Sequence, residues 1–344
     1  MPLSDLLNTI KNTMGLQHKS DIQVIAKHLA GAYHSADYPN GDDTAVIPTS
    51  NGYNLFSGEG FLEEFVQQDP WFAGWCGVMV NASDIAAMGG RPTAIINSYW
   101  GQDDGITAKI FEGMAAASQV FQIPIVGGHT NLRAEKPQLA VSILGKANTL
   151  LSGFSAKPGQ ALIAAIDCRG DYRAPFLNWN AATSAPAERL RGDMELLPNI
   201  AENSLATACK DISQAGLLGT CLMMLESSKA GALINLESIP KPKTIPWQQW
   251  LCSFPSYGYL LSADEENVST LINLFNDRDI SAAPIGHITR KKSLFVTHKN
   301  ETECFWDLEQ SPLTGMGQQE IKYKEKSIQK STPANHSITR EYYA

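Results

Sequence analysis

Apolar and polar positions over residues 3–32 recur mostly at helical spacing, and Gly15 is the expected break in that pattern. Residues 45–48 and 53–57 then flank Asn51-Gly52, a turn signal that predicts a β-hairpin. Residues 70–88 are apolar almost throughout. Pro70 suits a first helical turn and Gly89-Gly90 suits an end, so a buried helix is predicted between them. The pattern continues as a strand over 93–100, a helix over 106–121, a short buried strand over 123–126 and another strand over 139–146. Strands alternating with helices imply an α/β layer architecture.

Residues 148–159 are rich in Ser and Gly and include Lys157-Pro158-Gly159, which predicts a seam before a new apolar run over 161–166. A second α/β unit is readable beyond it. It comprises a polar excursion over 168–195, a helix after Ala215, a strand at 232–236, and strand-like segments near 257–261 and 285–288. From about Gln310 the chain is polar and lysine-rich with little periodicity, the composition of a loosely ordered tail. The expected domains are residues 1–150 and 151–309, with a tail over 310–344, and a length of 344 residues supports two such cores.

Composition narrows the partners. Lys and Arg number 27 against 35 Asp and Glu, and the formal net charge of −8 argues against general binding of nucleic acid or anionic membrane. A nucleotide substrate stays compatible, because metal ions can carry its phosphate charge. The first residues lack a basic stretch followed by an apolar one, so no signal peptide is expected. The apolar stretch 71–89 is interrupted by Asn81, Ser83 and Asp84, so no membrane span is expected either. The six cysteines form no CxxC pair and read as reduced, buried residues, and the seven histidines show no zinc spacing. A cytoplasmic location is the default expectation.

Four segments carry candidate chemistry. In Asn40-Gly41-Asp42-Asp43-Thr44-Ala45-Val46, two adjacent carboxylates precede an apolar strand. This is either a solvated turn or a Mg²⁺ site, since that hard ion takes one or two carboxylates together with waters and substrate phosphates. Asn81 and Asp84 are three apart and share a helical face. A carboxylate in so apolar a helix must meet a cation, a donor network or water, so Asp84 reads as a metal ligand or a structural hydrogen-bonding group. The strand running into Gly127-Gly128-His129-Thr130 ends either in a plain turn or in a concavity whose backbone amides approach phosphate. His129 is a proton shuttle or a structural histidine. Asp211 and Ser213 open an apolar helix; either caps it, or Asp211 brings a ligand from the second domain to the same nucleotide. In the polar excursion, Arg169 and Arg173 suit a clamp on carboxylate or phosphate and Trp179 suits stacking, with ordinary ion pairs and a packing tryptophan as the competing reading.

Taken in this order, the segments resemble the aminoimidazole ribonucleotide (AIR) synthetase superfamily, which includes selenophosphate synthetase, thiamine-monophosphate kinase and the hydrogenase-maturation dehydratase. Gly41 to Val46 is similar to that family's GDDAAV, and Asn81 to Pro92 looks like its N-x-S-D-x-x-A-M-G-x-x-P helix. Gly127 to Thr130 resembles the GGHT of selenophosphate synthetases, and Asp211 to Gly219 resembles D-[IV]-[ST]-x-x-G-L-x-G. The likeness spans about residues 40–290. It implies an α/β (α+β) protomer of two domains, the N-terminal ones pairing into a dimeric barrel-like sheet and the C-terminal one forming an α/β sandwich. It also implies ATP and Mg²⁺ as cofactors and phosphoryl transfer to, or ATP-driven activation of, a small-molecule acceptor. By resemblance, Asp42, Asp43, Asp84 and Asp211 hold the metals with Asn81 assisting, while Gly127, Gly128 and Thr130 lie against the nucleotide.

The departures from these relatives shape the expectation. Gly15-Leu16-Gln17-His18-Lys19 stands where selenophosphate synthetases carry a Cys or selenocysteine with a nearby Lys, and the maturation enzyme's C-terminal cysteine is missing. Ser57-Gly58-Glu59 occupies the place of a Thr-Thr-Asp segment in thiamine-monophosphate kinases, which makes Glu59 a substituted catalytic carboxylate. An ATP- and Mg²⁺-dependent phosphotransferase or synthetase is therefore expected. The alternatives are a thiamine-monophosphate kinase-like activity and a non-catalytic nucleotide-binding dimer acting as a scaffold.

Overall fold

The computed structural model describes residues 1–29 and 38–316. Its first half runs α1 (Leu3–Lys11), α2 (Met14–Leu29), β1 (Ala45–Thr49), β2 (Gly52–Gly60), α3 (Glu63–Gln68), α4 (Pro70–Ala87), β3 (Arg91–Trp100), α5 (Asp104–Phe121), β4 (Ile125–Asn131) and β5 (Gln138–Ala147). The five strands form an open sheet in the order β1-β2-β5-β3-β4. Its hairpin closes around Asn51-Gly52, where Gly52 adopts φ +107°, a backbone that favours glycine. α4 starts at Asp69, whose carboxylate accepts the Phe72 N–H, with Pro70 in the first turn. It stops at Gly89, in the left-handed region at φ +75°, where the Gly89 and Gly90 amides turn back to the Ala86 and Ile85 carbonyls. Every residue from Phe72 to Ala87 is buried, as expected of a helix without a polar face.

The second half runs β6 (Ala161–Ile166), β7 (Asp171–Tyr172), β8 (Asn178–Asn180), α6 (Ala187–Met194), α7 (Leu196–Glu202), β9 (Ala208–Asp211), α8 (Gly216–Ser228) and β10 (Gly231–Asn235). It continues through α9 (Trp247–Trp250), β11 (Phe254–Pro255), β12 (Gly258–Ala263), α10 (Glu265–Asn276), β13 (Ser281–Thr289), β14 (Ser293–His298) and β15 (Glu301–Asp307). Seven strands form a sheet in the order β15-β14-β10-β13-β6-β12-β9, and β7, β8 and β11 make a small separate one. Leu162, Ala164 and Ile166 of β6 join the core beneath α8, while Ala161, Ile163 and Ala165 join the one beneath α7 and α10. Both faces are covered, which is why this strand reads as an unbroken apolar run.

Three expectations change. The helical break falls at Asn12-Thr13, and Gly15 lies inside α2, where a Cβ would stand 2.2 Å from the Gln214 carbonyl oxygen. Glycine there permits close packing of the two halves. Leu3, Leu6, Leu7, Ile10 and Leu16 bury in the core of the second half, and the Leu3 N–H donates to Glu301, so α1 and α2 fold onto the second sheet instead of the first. The expected tail begins packed: Leu313, Thr314 and Met316 are buried. The buried Glu226 carboxylate accepts the amides of Leu313, Thr314 and Gly315 and the Thr314 hydroxyl, donors that offset its desolvation. Residues 317–344 lie outside the described ones. Among the described residues no helix is long and apolar enough to cross a membrane.

Candidate functional site

Arg91 at the start of β3 reaches Glu195 and Glu202 across the seam, at 2.5 and 2.7 Å, and helps clamp the halves together. Between them opens a cavity of about 580 Å³. Strand alternation turns Ser57 and Glu59 of β2 to the face of the sheet that α4 covers. There the Ser57 hydroxyl donates to Asp84 of α4 at 2.8 Å. The loop before β1 brings Asp42 and Asp43, and the end of β9 brings Lys210 and Asp211 to the same wall. Lys210 is 3% exposed; its ammonium bonds to Asp43 and lies 3.5 Å from Asp42. Asp42 is otherwise saturated, accepting the Ser152 hydroxyl at 2.7 Å and the Gly153 amide at 2.9 Å. The Asp211 amide donates to Asp43 at 3.3 Å.

Charge on this wall is unbalanced. Burial pushes Asp43 up to about 7, with Asp211 and Asp42 adding to the effect and Lys210 opposing it. Asp211 rises to about 6 through burial and Glu59, against the pull of Lys210 and Lys19. Burial holds Asp84 well above the usual carboxylate range, reinforced by Asp211, Glu59 and Asp43. Glu59 is raised by burial and by Asp43, against Lys19. For Lys210, burial works against the charge, but Asp43 and Asp42 outweigh it and the ammonium is held more firmly than usual. One buried lysine thus steadies Asp42 and Asp43, while Glu59, Asp84 and Asp211 have no ion pair among the described residues.

Among the described residues no three acid, histidine or cysteine side chains converge into a ready-made metal cage. The donor chemistry nevertheless fits Mg²⁺. The wall offers hard carboxylate oxygens that repel one another, and this ion ordinarily completes its shell with waters and substrate phosphates.

Residues 41–147 match the family described as AIR synthase related protein, N-terminal domain, and residues 176–299 match AIR synthase related protein, C-terminal domain. The chain belongs to the AIR synthase related family. It is 44% identical over 319 residues to an uncharacterized protein of Synechocystis sp., covering 91% of this chain and 98% of that one. An uncharacterized protein of Methanocaldococcus jannaschii is 35% identical over 325 residues, covering 92% and 100%. A selenide, water dikinase of Myxococcus xanthus is 28% identical over 231 residues, covering 64% and 65%. Among solved structures, Thermotoga maritima PurL complexed with ATP superposes with a TM-score of 0.71 at 17% identity, covering 99% of this chain and 58% of that one. AaThiL complexed with AMPPCP and TMP gives a TM-score of 0.64 at 20% identity, covering 86% and 99%. At these identities the shared property is the two-domain α/β fold, with both principal sheets open in the single chain.

Several predicted site residues of this AIR synthase related protein lie away from the cavity. Asn81 is buried off its wall; its amide donates to the Gly77 carbonyl at 2.9 Å and its own oxygen has no partner. Gly127, Gly128, His129 and Thr130 sit in the middle of β4, not in a strand-end turn, and are exposed along the sheet edge. A Cβ at Gly128 would come within 2.4 Å of the Asn97 carbonyl, so close strand pairing accounts for that glycine. His129 packs near Trp100, ring centroids 6.0 Å apart.

Nor does the cavity receive Arg169, Arg173 or Trp179. Arg169 bonds to Asp167 at 2.8 Å, Arg173 bonds to Asp69 and covers the Phe72 ring, and Trp179 is buried, donating to the Asp167 carbonyl at 2.9 Å. Each is engaged with a partner inside the protein. The excursion instead contributes Pro175, Phe176, Leu177 and Asn178 to the cavity wall. Lys210 and Lys19 are the residues that sequence reasoning passed over. A lysine inside the buried strand Ala208–Asp211 is itself a signal, since an ammonium there requires an acidic partner.

Proposed function

We propose that the carboxylate wall of the cavity binds the phosphates of ATP together with Mg²⁺, and that the protein transfers a phosphoryl group to a small-molecule acceptor or activates it by that route. The observation that carries this reading is the charge surplus: Glu59, Asp84 and Asp211 line one wall with no ion pair among the described residues. Such a buried cluster is costly unless a cation joins it. Support also comes from relatives whose names include a dikinase and from structural neighbours described in complex with ATP or AMPPCP. Mg²⁺ held by Asp84, Asp211 and Asp43 would supply charge neutralisation for the phosphates. Lys210 keeps the turn carrying Asp42 and Asp43 in place, and Lys19 offers a second positive charge that acts on Glu59 and Asp211. In the transfer, the acceptor oxygen bonds to the γ-phosphorus as the bond to the β,γ-bridging oxygen breaks. ADP leaves with that electron pair, and Glu59 takes the acceptor's proton. Positioning and charge neutralisation are the main demands of such a step.

Calorimetric titration of the full chain with Mg-AMPPCP tests the reading, alongside Asp43→Asn. Binding to the wild type that weakens in the variant is expected; no binding to either ends the proposal. Turnover is then read as ADP release across an acceptor screen that includes thiamine monophosphate, and binding without any turnover would favour the scaffold alternative.

A second copy of this chain is the proposed cover for the outer face of the first sheet. Phe56 and Leu144 stand opposite each other on that face, 46% and 37% exposed, with Ile47 and Ile96 nearby. Apolar patches of this kind mark interaction surfaces. Light scattering should report a dimer that Phe56→Glu dissociates; a wild-type monomer would remove the idea.

A further inference from the structure

The cavity has a polarity axis. Cys76, Val80 and Asp84 line it from one face of α4, four residues apart, so the line from Cys76 to Asp84 covers about 12 Å at the helical rise. β2 and its continuation follow the same course, passing from Glu59 through Gly60 to Phe61 and Leu62. At the far end, the Phe65 ring contacts Phe61 on one side and Phe176 on the other, with centroids 6.4 and 5.1 Å apart. The second half closes this end with Leu177 and Phe254, tied by the Phe254 amide donating to the Leu177 carbonyl at 2.9 Å.

Both cations among the described lining residues belong to the other end. Lys210 is bound to Asp43, and Lys19 acts on Glu59 and Asp211. Arg173, the guanidinium of the adjoining loop, is engaged with Asp69 and stacked on Phe72, and it does not line the cavity. A phosphate or carboxylate placed among the phenylalanines would therefore lose its water without gaining a counter-charge, which is a heavy cost. Polar side chains at this end are few, with Asn178 as its amide. A purine would leave most of its ring nitrogens unpaired there, and each unmade hydrogen bond weakens binding.

We infer that the aromatic end receives the body of the acceptor, and that this body is an uncharged, planar or apolar small molecule which presents one nucleophilic oxygen toward the carboxylate wall. An acceptor that already carries its own phosphate is selected against. The inference rests on the ATP reading given above, because the carboxylate end is assigned there to the nucleotide phosphates.

The test measures probe binding to the full chain by saturation-transfer NMR, with and without saturating Mg-AMPPCP. Tryptophol and benzamide serve as neutral probes, and indole-3-acetate and phenyl phosphate as anionic counterparts. Neutral probes should bind alongside Mg-AMPPCP, on the order of tenfold more tightly than the anionic ones, a difference of about 1.4 kcal/mol. Phe176→Ala should weaken the neutral probes. Leu177→Arg, which places a cation at that end, should shift the preference toward indole-3-acetate, and a Mg-AMPPCP titration of each variant reports whether its nucleotide site survives. Equal or tighter binding of the anionic probes to the wild type overturns the inference, as does displacement of the neutral probes by Mg-AMPPCP, which would give the aromatic end to adenine. Mg-AMPPCP binding with no probe binding also overturns it. If neutral probes bind selectively while Mg-AMPPCP does not bind at all, the pocket assignment stands and the ATP reading falls.

Discussion

Two clusters of buried charge lie in this molecule, and they are built to opposite rules. In the second half, Asp167 and Asp193, 2% and 1% exposed, meet three guanidiniums: Arg169 and Arg189 reach Asp167 at 2.8 Å and Arg278 reaches Asp193 at 2.6 Å. Those arginines keep 24–31% of their side chains exposed, so the charge is both matched and partly hydrated. On the cavity wall, Asp42, Asp43, Glu59, Asp84 and Asp211 share one fully buried lysine, with Lys19 as a second lining cation. The first cluster is matched in charge, although the buried Arg189 Nε makes no hydrogen bond. The second carries more acid than its one buried lysine matches, which raises Asp43, Asp84 and Asp211 toward protonation, and that surplus, more than the presence of acids, distinguishes a candidate binding site from a structural network.

Removing Lys210 should have the largest effect. Lys210→Met keeps the length of the side chain but strands Asp42 and Asp43, and breaking a buried pair from one side costs about 3–5 kcal/mol. Urea unfolding in the absence of metal should show that loss, and Mg²⁺ should restore more stability to the variant than it adds to the wild type. An unchanged midpoint would mean that the wall is not charge-limited. Asp193→Asn should cost less, about 2 kcal/mol, the scale of lost hydrogen bonds to charged groups, because the abandoned arginines can turn to water. Mg²⁺ should restore nothing in this case, and a metal-dependent recovery would erase the contrast between the clusters. Asp84→Asn should have the smallest effect on stability and the opposite sign. It removes a carboxyl that burial and its acidic neighbours make costly to ionise, so the ligand-free Tm should hold or rise while Mg-AMPPCP binding weakens by about tenfold, or ~1.4 kcal/mol. A fall in Tm with unchanged nucleotide binding would make Asp84 a structural residue.

Much of the scaffold was legible because the signals are local. The Asn51-Gly52 hairpin, the Pro70-to-Gly89 helix and the apolar β6 each declare themselves within a few residues. Asp84 was legible for the same reason, as a carboxylate without any local partner in an apolar helix. The Gly127-Gly128 segment lies within a strand and not in a strand-end turn: a glycine pair serves close strand pairing as readily as a turn, and only the ladder with β3 separates the two. Arg169, Arg173 and Trp179 misled because the sequence does not reveal that Asp167 and Asp69 already claim them. Gln310 to Met316 looked like the start of a tail because its anchor, Glu226, lies far back in the chain on α8.

Residues close in the chain were enough for the α/β alternation, the buried helix and a carboxylate in need of a partner, since each follows from local burial or charge. Only the tertiary structure decided that α1 and α2 pack on the second sheet, that Lys210 closes on Asp42 and Asp43, and that three phenylalanines from both halves wall the far end of the cavity. Hydrophobic periodicity reports whether a side chain is buried. It carries no record of which distant group the side chain is buried against, and a site assembled between two domains consists of such pairings.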